Sequence, residues 1–109
     1  MIDLPGSVQL GPYTFSITDS KLEHAKACLD NDGMVYGYIR YGKCQIILDP
    51  DQEEMHKRVS LMHELLHAIW HLSDWTHKDD ELPMRVMATG MVDTLRRNPN
   101  LVRYILGET

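Results

Sequence analysis

The stretch that decides the fold lies at residues 62–69 and reads MHELLHAI. It contains the pattern H-E-x-x-H, whose two histidines, His63 and His67, lie four residues apart on one face of an α-helix. Both imidazoles can then reach one metal ion, and zinc suits nitrogen ligands in tetrahedral geometry. Glu64 is not needed as a ligand, so its carboxylate is free to take a proton from a metal-activated water. We therefore expect one zinc ion per chain, with Glu64 as the general base.

A long helix should carry this motif, over about residues 52–72. Asp51 is its expected N-cap, with Glu54 three residues later in a capping-box pattern. Two apolar stripes follow the helical period, and two stripes indicate a helix that is buried on most sides. The first stripe consists of Met55, Val59, Met62, Leu66 and Ile69, and the second of Leu61, Leu65, Ala68 and Leu72.

Two histidines make only half of a catalytic zinc site, which normally has a third protein ligand and leaves a fourth position for water. Our first candidate is Glu81, because it opens a second predicted helix that a short loop can fold back against the first. A glutamate there would complete a His₂Glu site. Three nearby side chains remain as alternatives, namely Asp79, Asp80 and His77.

A hydrolytic site also needs a hydrogen-bond donor near the developing oxyanion. The sequence offers five without choosing between them, which are Tyr36, Tyr38, Tyr41, His71 and His77. His71 lies about 12 Å from His63 along a straight helix axis, so one ion cannot bridge the two. A substrate-facing position, or an exposed one at the helix end, fits His71 better.

The residues before Asp49 are typical of strands and turns. Residues 13–18 alternate apolar and polar side chains, as a half-buried strand does, and Gly11-Pro12 marks a turn before them. A short helix carrying Leu22, Ala25 and Leu29 should follow, capped by Asp19 or Ser20 and ended by residues 31–33.

Residues 34–41 and 44–48 are β-rich runs separated by Gly42-Lys43, which predicts a hairpin. Gly37, inside the first run, indicates a bulge or a close approach of the backbone to another group. If one of these runs forms an exposed sheet edge near the metal, it can hold an extended peptide by strand addition.

The helix that begins at residues 79–81 should stop before Asn98. There Asn98 is expected to cap a last short helix, with Pro99 at its first position and Gly107 at its end. A chain of 109 residues suits a single domain, here residues 1–109.

Composition excludes several classes of protein. Hydrophobic residues make up 43% and charged residues 25%, which is ordinary for a globular chain and excludes a disordered tail. The net charge of −5 gives no overall sign of a basic face, so we expect no nucleic-acid partner, although Arg96, Arg97 and Arg103 could form a local patch. Cys28 and Cys44 form no CxxC pair, and reduced thiols fit a cytoplasmic protein. We see neither a secretion signal nor a stretch of apolar residues long enough to span a membrane.

The chain resembles the ImmA/IrrE family of small zincin-like metallopeptidases, especially its short phage and prophage versions. The resemblance covers about residues 34–106. It rests on the hairpin residues 35–39, on the run 46–49, on the H-E-x-x-H helix, and on the stretch from Glu81 to Pro99.

The resemblance implies an α+β zincin core: a small N-terminal antiparallel sheet packed on the H-E-x-x-H helix and on a second, ligand-bearing helix. It implies one zinc ion, a third ligand at Glu81, and hydrolysis of a peptide bond in a protein partner. Better-studied members inactivate transcriptional repressors, which makes a repressor one possible substrate. The alternative is a zincin-fold module that binds a partner without cutting it.

Overall fold

The structure is a computed structural model that describes residues 3–73 and 81–107, with the backbone alone at 81–85. Short segments of alternating apolar and polar residues build a four-stranded sheet. The strands are β1 (Ser7–Leu10), β2 (Tyr13–Thr18), β3 (Gly37–Arg40) and β4 (Gln45–Leu48). Their order in the sheet is β1-β2-β4-β3, so β1 and β3 are the edges.

The sheet is mixed, which corrects the antiparallel sheet expected from the sequence. The pairs β1–β2 and β3–β4 are antiparallel, but β2 and β4 run parallel. A parallel pair needs a long crossover connection. Helix α1 (Lys21–Asn31) and strand β3 lie within the crossover between them.

The predicted hairpin forms, with a shorter first strand than its β-rich run. β3 occupies only Gly37–Arg40 of the run 34–41, and a 3₁₀ turn, Tyr41–Lys43, joins it to β4. Cys44 takes a left-handed conformation (φ 48°) at the end of that turn. Residues 34–36 of the run instead connect α1 to the sheet, which β-strand propensity alone did not reveal.

Helix α1 begins as one of the two predicted caps requires. The side chain of Ser20 accepts a hydrogen bond from the backbone N–H of Glu23. The prediction of its apolar face is wrong, because Leu22 and Leu29 are exposed and Ala27 is the buried residue. α1 contacts β4, where a small side chain allows close approach.

Helix α2 (Glu54–Leu72) carries the H-E-x-x-H motif. Its N-cap is Glu53 rather than the predicted Asp51: the Glu53 carboxylate accepts from the backbone N–H groups of Met55 and His56. The N–H of Asp51 instead donates to the Asp49 side chain, in a local turn before the helix.

Only one of the two apolar stripes of α2 packs into the core along its length, and its last member, Leu72, is partly buried there. Leu61, Leu65 and Ala68 are fully covered, whereas Met55 and Val59 remain 57% and 59% exposed. The prediction of a helix buried on most sides is therefore wrong. The described part of the fold has too few layers to cover the start of the first stripe, at Met55 and Val59, and that stripe borders the face that carries the histidines.

Helices α3 (Glu81–Arg97) and α4 (Pro99–Leu106) complete the described fold. α3 packs closely on α2 at Gly90, where a Cβ atom would collide with Ile69. Asn98 lies between α3 and α4 as predicted, but its side chain does not cap α4. It accepts from the Gln9 N–H (2.8 Å) and donates to the Gln9 carbonyl (3.0 Å), and so pairs with the edge of β1.

The hydrophobic core lies between one face of the sheet and helices α2 and α4. Its fully buried members come from every one of these elements: Val8, Leu10, Phe15, Ile46, Leu48, Leu61, Leu65, Ala68, Leu101 and Tyr104. Of the helices that the structure describes, none has the length and apolarity to cross a membrane.

Candidate active site

The two motif histidines come together on the exposed side of α2. Their Nε2 atoms lie 3.0 Å apart, and their ring planes meet at 77°. Two nitrogen lone pairs cannot face each other at this distance without a proton or a cation between them. The spacing of four residues therefore does what the sequence predicted: it makes the imidazoles converge on one point.

The geometry of this pair fits a zinc ion. With Zn–N bonds of about 2.0–2.1 Å and tetrahedral angles, two ligand nitrogens lie roughly 3.3 Å apart. The observed separation is close to that value and needs only a small adjustment of the two side chains.

Glu64 lies next to the pair on the side of α2 that faces the sheet. Its side chain is buried, with 8% exposed. Burial raises the pKa of the Glu64 carboxyl, and the two neighbouring histidines partly oppose this rise. A poorly hydrated carboxylate holds a proton more readily than an exposed one, which suits it to accepting a proton.

Gly37 on β3 provides the space that Glu64 occupies. A Cβ atom on this glycine would lie 2.8 Å from Glu64 Cγ and 3.1 Å from Oε2. The prediction of a close backbone approach at Gly37 is thus confirmed, and the approaching group is the expected general base. The missing side chain lets the edge strand pass directly beside the motif.

The candidates for a third ligand fall outside the described side chains. Glu81 is the first residue of α3, as predicted, but the structure describes only its backbone. The alternatives Asp79, Asp80 and His77 lie outside the described residues altogether. Among the side chains that are described, no group of three or more His, Cys, Asp and Glu is arranged to hold a metal ion.

The packing of α3 sets a condition on Glu81. Gly90 contacts Ile69 on α2, and Glu81 lies nine residues earlier, about 13 Å along a helix axis. At about 100° per residue, Ile69 and the motif histidines lie on different sides of α2. Glu81 reaches the histidine pair only if the start of α3 leans across to that side.

Tyr41 and His71 form a second aromatic group near the motif. Their rings are stacked, with centroids 3.8 Å apart. Burial raises the pKa of the Tyr41 phenol, and the negative charge of Glu64 raises it further. Of the predicted oxyanion donors, Tyr41 therefore lies within electrostatic range of Glu64, whereas Tyr38 lies beneath the Arg40 guanidinium.

A polar network around Gln52 was missed by the sequence analysis. The Gln52 amide donates to the carbonyls of Tyr36 and Asp49, and its oxygen accepts from Ser60 Oγ (2.8 Å) and from His56 Nδ1 (2.7 Å). His56 precedes His63 by two helical turns and so shares its face. The seven-residue spacing between His56 and His63 could have indicated this network from the sequence, because it shows that the polar face of α2 extends beyond the H-E-x-x-H motif.

No protein-family model, curated protein or solved structure matches this chain. The functional argument therefore depends on the site itself, and in particular on the histidine pair, on Glu64 and on the edge strand beside them.

Proposed function

We propose that this protein is a zinc-dependent metallo-endopeptidase with a zincin-like core. The observation that carries the proposal is the convergence of His63 and His67 beside the buried Glu64, next to an open sheet edge. Two nitrogen ligands, a carboxylate that is not a ligand, and a strand edge are the parts that peptide hydrolysis needs. The proposed third ligand is Glu81.

In this proposal His63 and His67 hold the metal, and Glu64 moves the proton. A bound zinc ion would lower the pKa of a coordinated water toward about 7 and polarise the substrate carbonyl. Glu64 accepts a proton from the attacking water as its oxygen bonds to the carbonyl carbon. Glu64 then passes that proton to the amide nitrogen as the C–N bond breaks.

The open edge of β3 suits an extended polypeptide. β3 pairs with β4 on one side, and no described strand pairs with its other side. A peptide that adds there as a further strand would pass Gly37 and therefore Glu64. A protein partner, such as a transcriptional repressor, is the substrate class that we propose.

Metal content tests the first part of the proposal. We expect about one zinc per chain in the wild-type protein and a marked loss in both His63→Ala and Glu81→Ala, measured by elemental analysis of untagged protein. Zinc retained by Glu81→Ala would move the third ligand to Asp79, Asp80 or His77. A wild-type protein that binds no zinc, even after zinc is added back, would overturn the proposal.

Loss of the general base tests the second part. Glu64→Gln should keep its zinc, yet cleave a peptide library at least about a hundredfold more slowly, because general acid–base catalysis contributes about 10²–10⁴. Glu23→Gln, a surface change on α1, is the control. Undiminished cleavage by Glu64→Gln would refute this mechanism. A partner that binds the wild-type protein and stays uncut would favour the non-proteolytic binding module.

A further inference from the structure

A groove runs from the candidate active site toward the N-terminal end of α2. It lies between residues 35–37 on one side and helix residues 56–64 on the other, and it has a volume of about 400 Å³. His63 and Glu64 form its inner end. The groove is thus continuous with the point at which the proposed reaction takes place.

Apolar side chains line both walls of this groove. Val35 and Tyr36 form the wall before β3, and Val59 faces them from α2. Tyr36 and Val59 remain 53% and 59% exposed. Large apolar side chains that stay exposed on facing walls are typical of a site that a ligand covers.

The walls are held in place before any ligand arrives. Gln52 joins the Tyr36 carbonyl on one wall to His56 and Ser60 on the other, and uses both of its N–H donors and its oxygen in doing so. The rings of Tyr36 and His56 meet edge to face, with centroids 4.5 Å apart. A wall fixed in this way loses little conformational freedom when a ligand binds.

The hydrogen bond from His56 to Gln52 also determines the tautomer of the His56 imidazole. Because the Gln52 oxygen can only accept, His56 Nδ1 must carry a proton. In the neutral ring, Nε2 is then left as an acceptor. The groove therefore has apolar walls, with His56 at its rim and with His63 and Glu64 at its inner end.

We propose that this groove is a specificity subsite, which receives one large apolar side chain, such as leucine or phenylalanine, of a polypeptide added along β3. The inference rests on the proposed function, since it assigns the groove to the substrate of the same site. Successive side chains of an added strand point to opposite faces, so one residue close to the scissile bond would point toward α2.

Peptide binding to the Glu64→Gln variant of the 109-residue chain tests this subsite without requiring cleavage. The probes are capped hexapeptides of glycine and serine that differ at one central position: leucine, phenylalanine, alanine, lysine or glutamate. Amide NMR shifts should move at Tyr36, Gly37, Val59 and Ser60. The leucine and phenylalanine probes should bind about tenfold more tightly than the alanine probe, as apolar pockets discriminate.

Two valines of almost equal exposure provide a matched pair of variants. Val59 is 59% exposed in the groove, and Val92 is 56% exposed on α3. Val59→Lys, added to Glu64→Gln, should abolish the preference for the apolar probes, whereas Val92→Lys should leave it unchanged. Equal or better binding of the charged probes would overturn the subsite. Shifts confined to other regions, or a preference that survives Val59→Lys, would overturn it too.

Cleavage by the zinc-loaded wild-type protein separates this inference from the proposed function. Apolar probes that bind in the groove but are never cut would keep the subsite and refute the peptidase. Cleavage that shows no preference at the central position, and that Val59→Lys does not alter, would keep the peptidase and refute the subsite.

Discussion

The two edges of the sheet are treated in opposite ways. At β1 the Asn98 side chain pairs with both the N–H and the carbonyl of Gln9, as a neighbouring strand would. At β3 no described strand covers the outer side, and the strand begins with a glycine packed against Glu64.

An exposed strand edge is a liability, because it invites pairing with other chains. Within the described residues, a single asparagine closes one edge, and no strand covers the other edge beside the H-E-x-x-H helix. Under the proposed function, the open edge serves the site, whereas the closed edge serves stability. Variants at the two edges should therefore fail in different assays.

The largest effect is expected at the open edge. Gly37→Ala places a methyl group 2.8 Å from Glu64 Cγ, so the Glu64 side chain must move. A displacement of about 1 Å can cost roughly a hundredfold in rate, and we expect a loss of that order in peptide cleavage. The matched control is Gly42→Ala in the next turn, where an added Cβ meets nothing within 4 Å.

Zinc content and thermal unfolding should be measured on both glycine variants. We expect Gly37→Ala to keep its metal, because it acts on Glu64 and not on the histidines. Equal cleavage rates for Gly37→Ala and Gly42→Ala would show that the close approach has no part in activity.

The closed edge should affect stability and leave cleavage unchanged. Asn98→Ala removes the partners of the part-buried Gln9 N–H and carbonyl and of the Thr94 carbonyl, and we expect a loss of about 1 kcal/mol, the low end of the cost of an unpaired buried group. Urea unfolding measures this loss. Asn98→Asp keeps the acceptor for the Gln9 N–H but places a carboxylate oxygen opposite the carbonyls of Gln9 and Thr94, so it should not restore the stability of the wild type. A loss of cleavage in a folded, zinc-loaded Asn98→Ala would contradict the division of roles.

The elements of the fold were predictable where local chemistry decides them. Ser20 at the start of α1, the turn at Gly11-Pro12 and the convergence of His63 and His67 each follow from a spacing of a few residues. Gly37 was recognisable too, since a glycine inside a β-rich run needs a reason to be there.

The predictions that were wrong concern contacts between segments that are distant in the sequence. The parallel pairing of β2 with β4, the exposure of Met55 and Val59, and the bonding of Asn98 to Gln9 all involve partners that no local pattern identifies. Asn98 is instructive, because the helix boundary was right and the role of the side chain was not: a capping residue and an edge-pairing residue look the same in the sequence.

The smallest effect concerns the end of α2 beside the open edge. The Glu53 carboxylate accepts from the N–H groups of Met55 and His56, and these bonds hold its pKa below the usual 4.5. A lowered pKa in the folded protein means that this carboxylate stabilises the fold above pH 4.5 and that the contribution is lost as pH falls through the lower folded value. Glu53→Gln should therefore melt slightly earlier than wild type at neutral pH, and the two melting curves should merge in acid. Thermal unfolding across pH 3–7 measures this difference.

Asp51→Asn, at the cap position that the sequence suggested, is the control and should show no such convergence, because the Asp51 side chain makes no cap bond to the helix. A Glu53→Gln difference that persists unchanged into acid would mean that the negative charge of Glu53 does not contribute to capping α2.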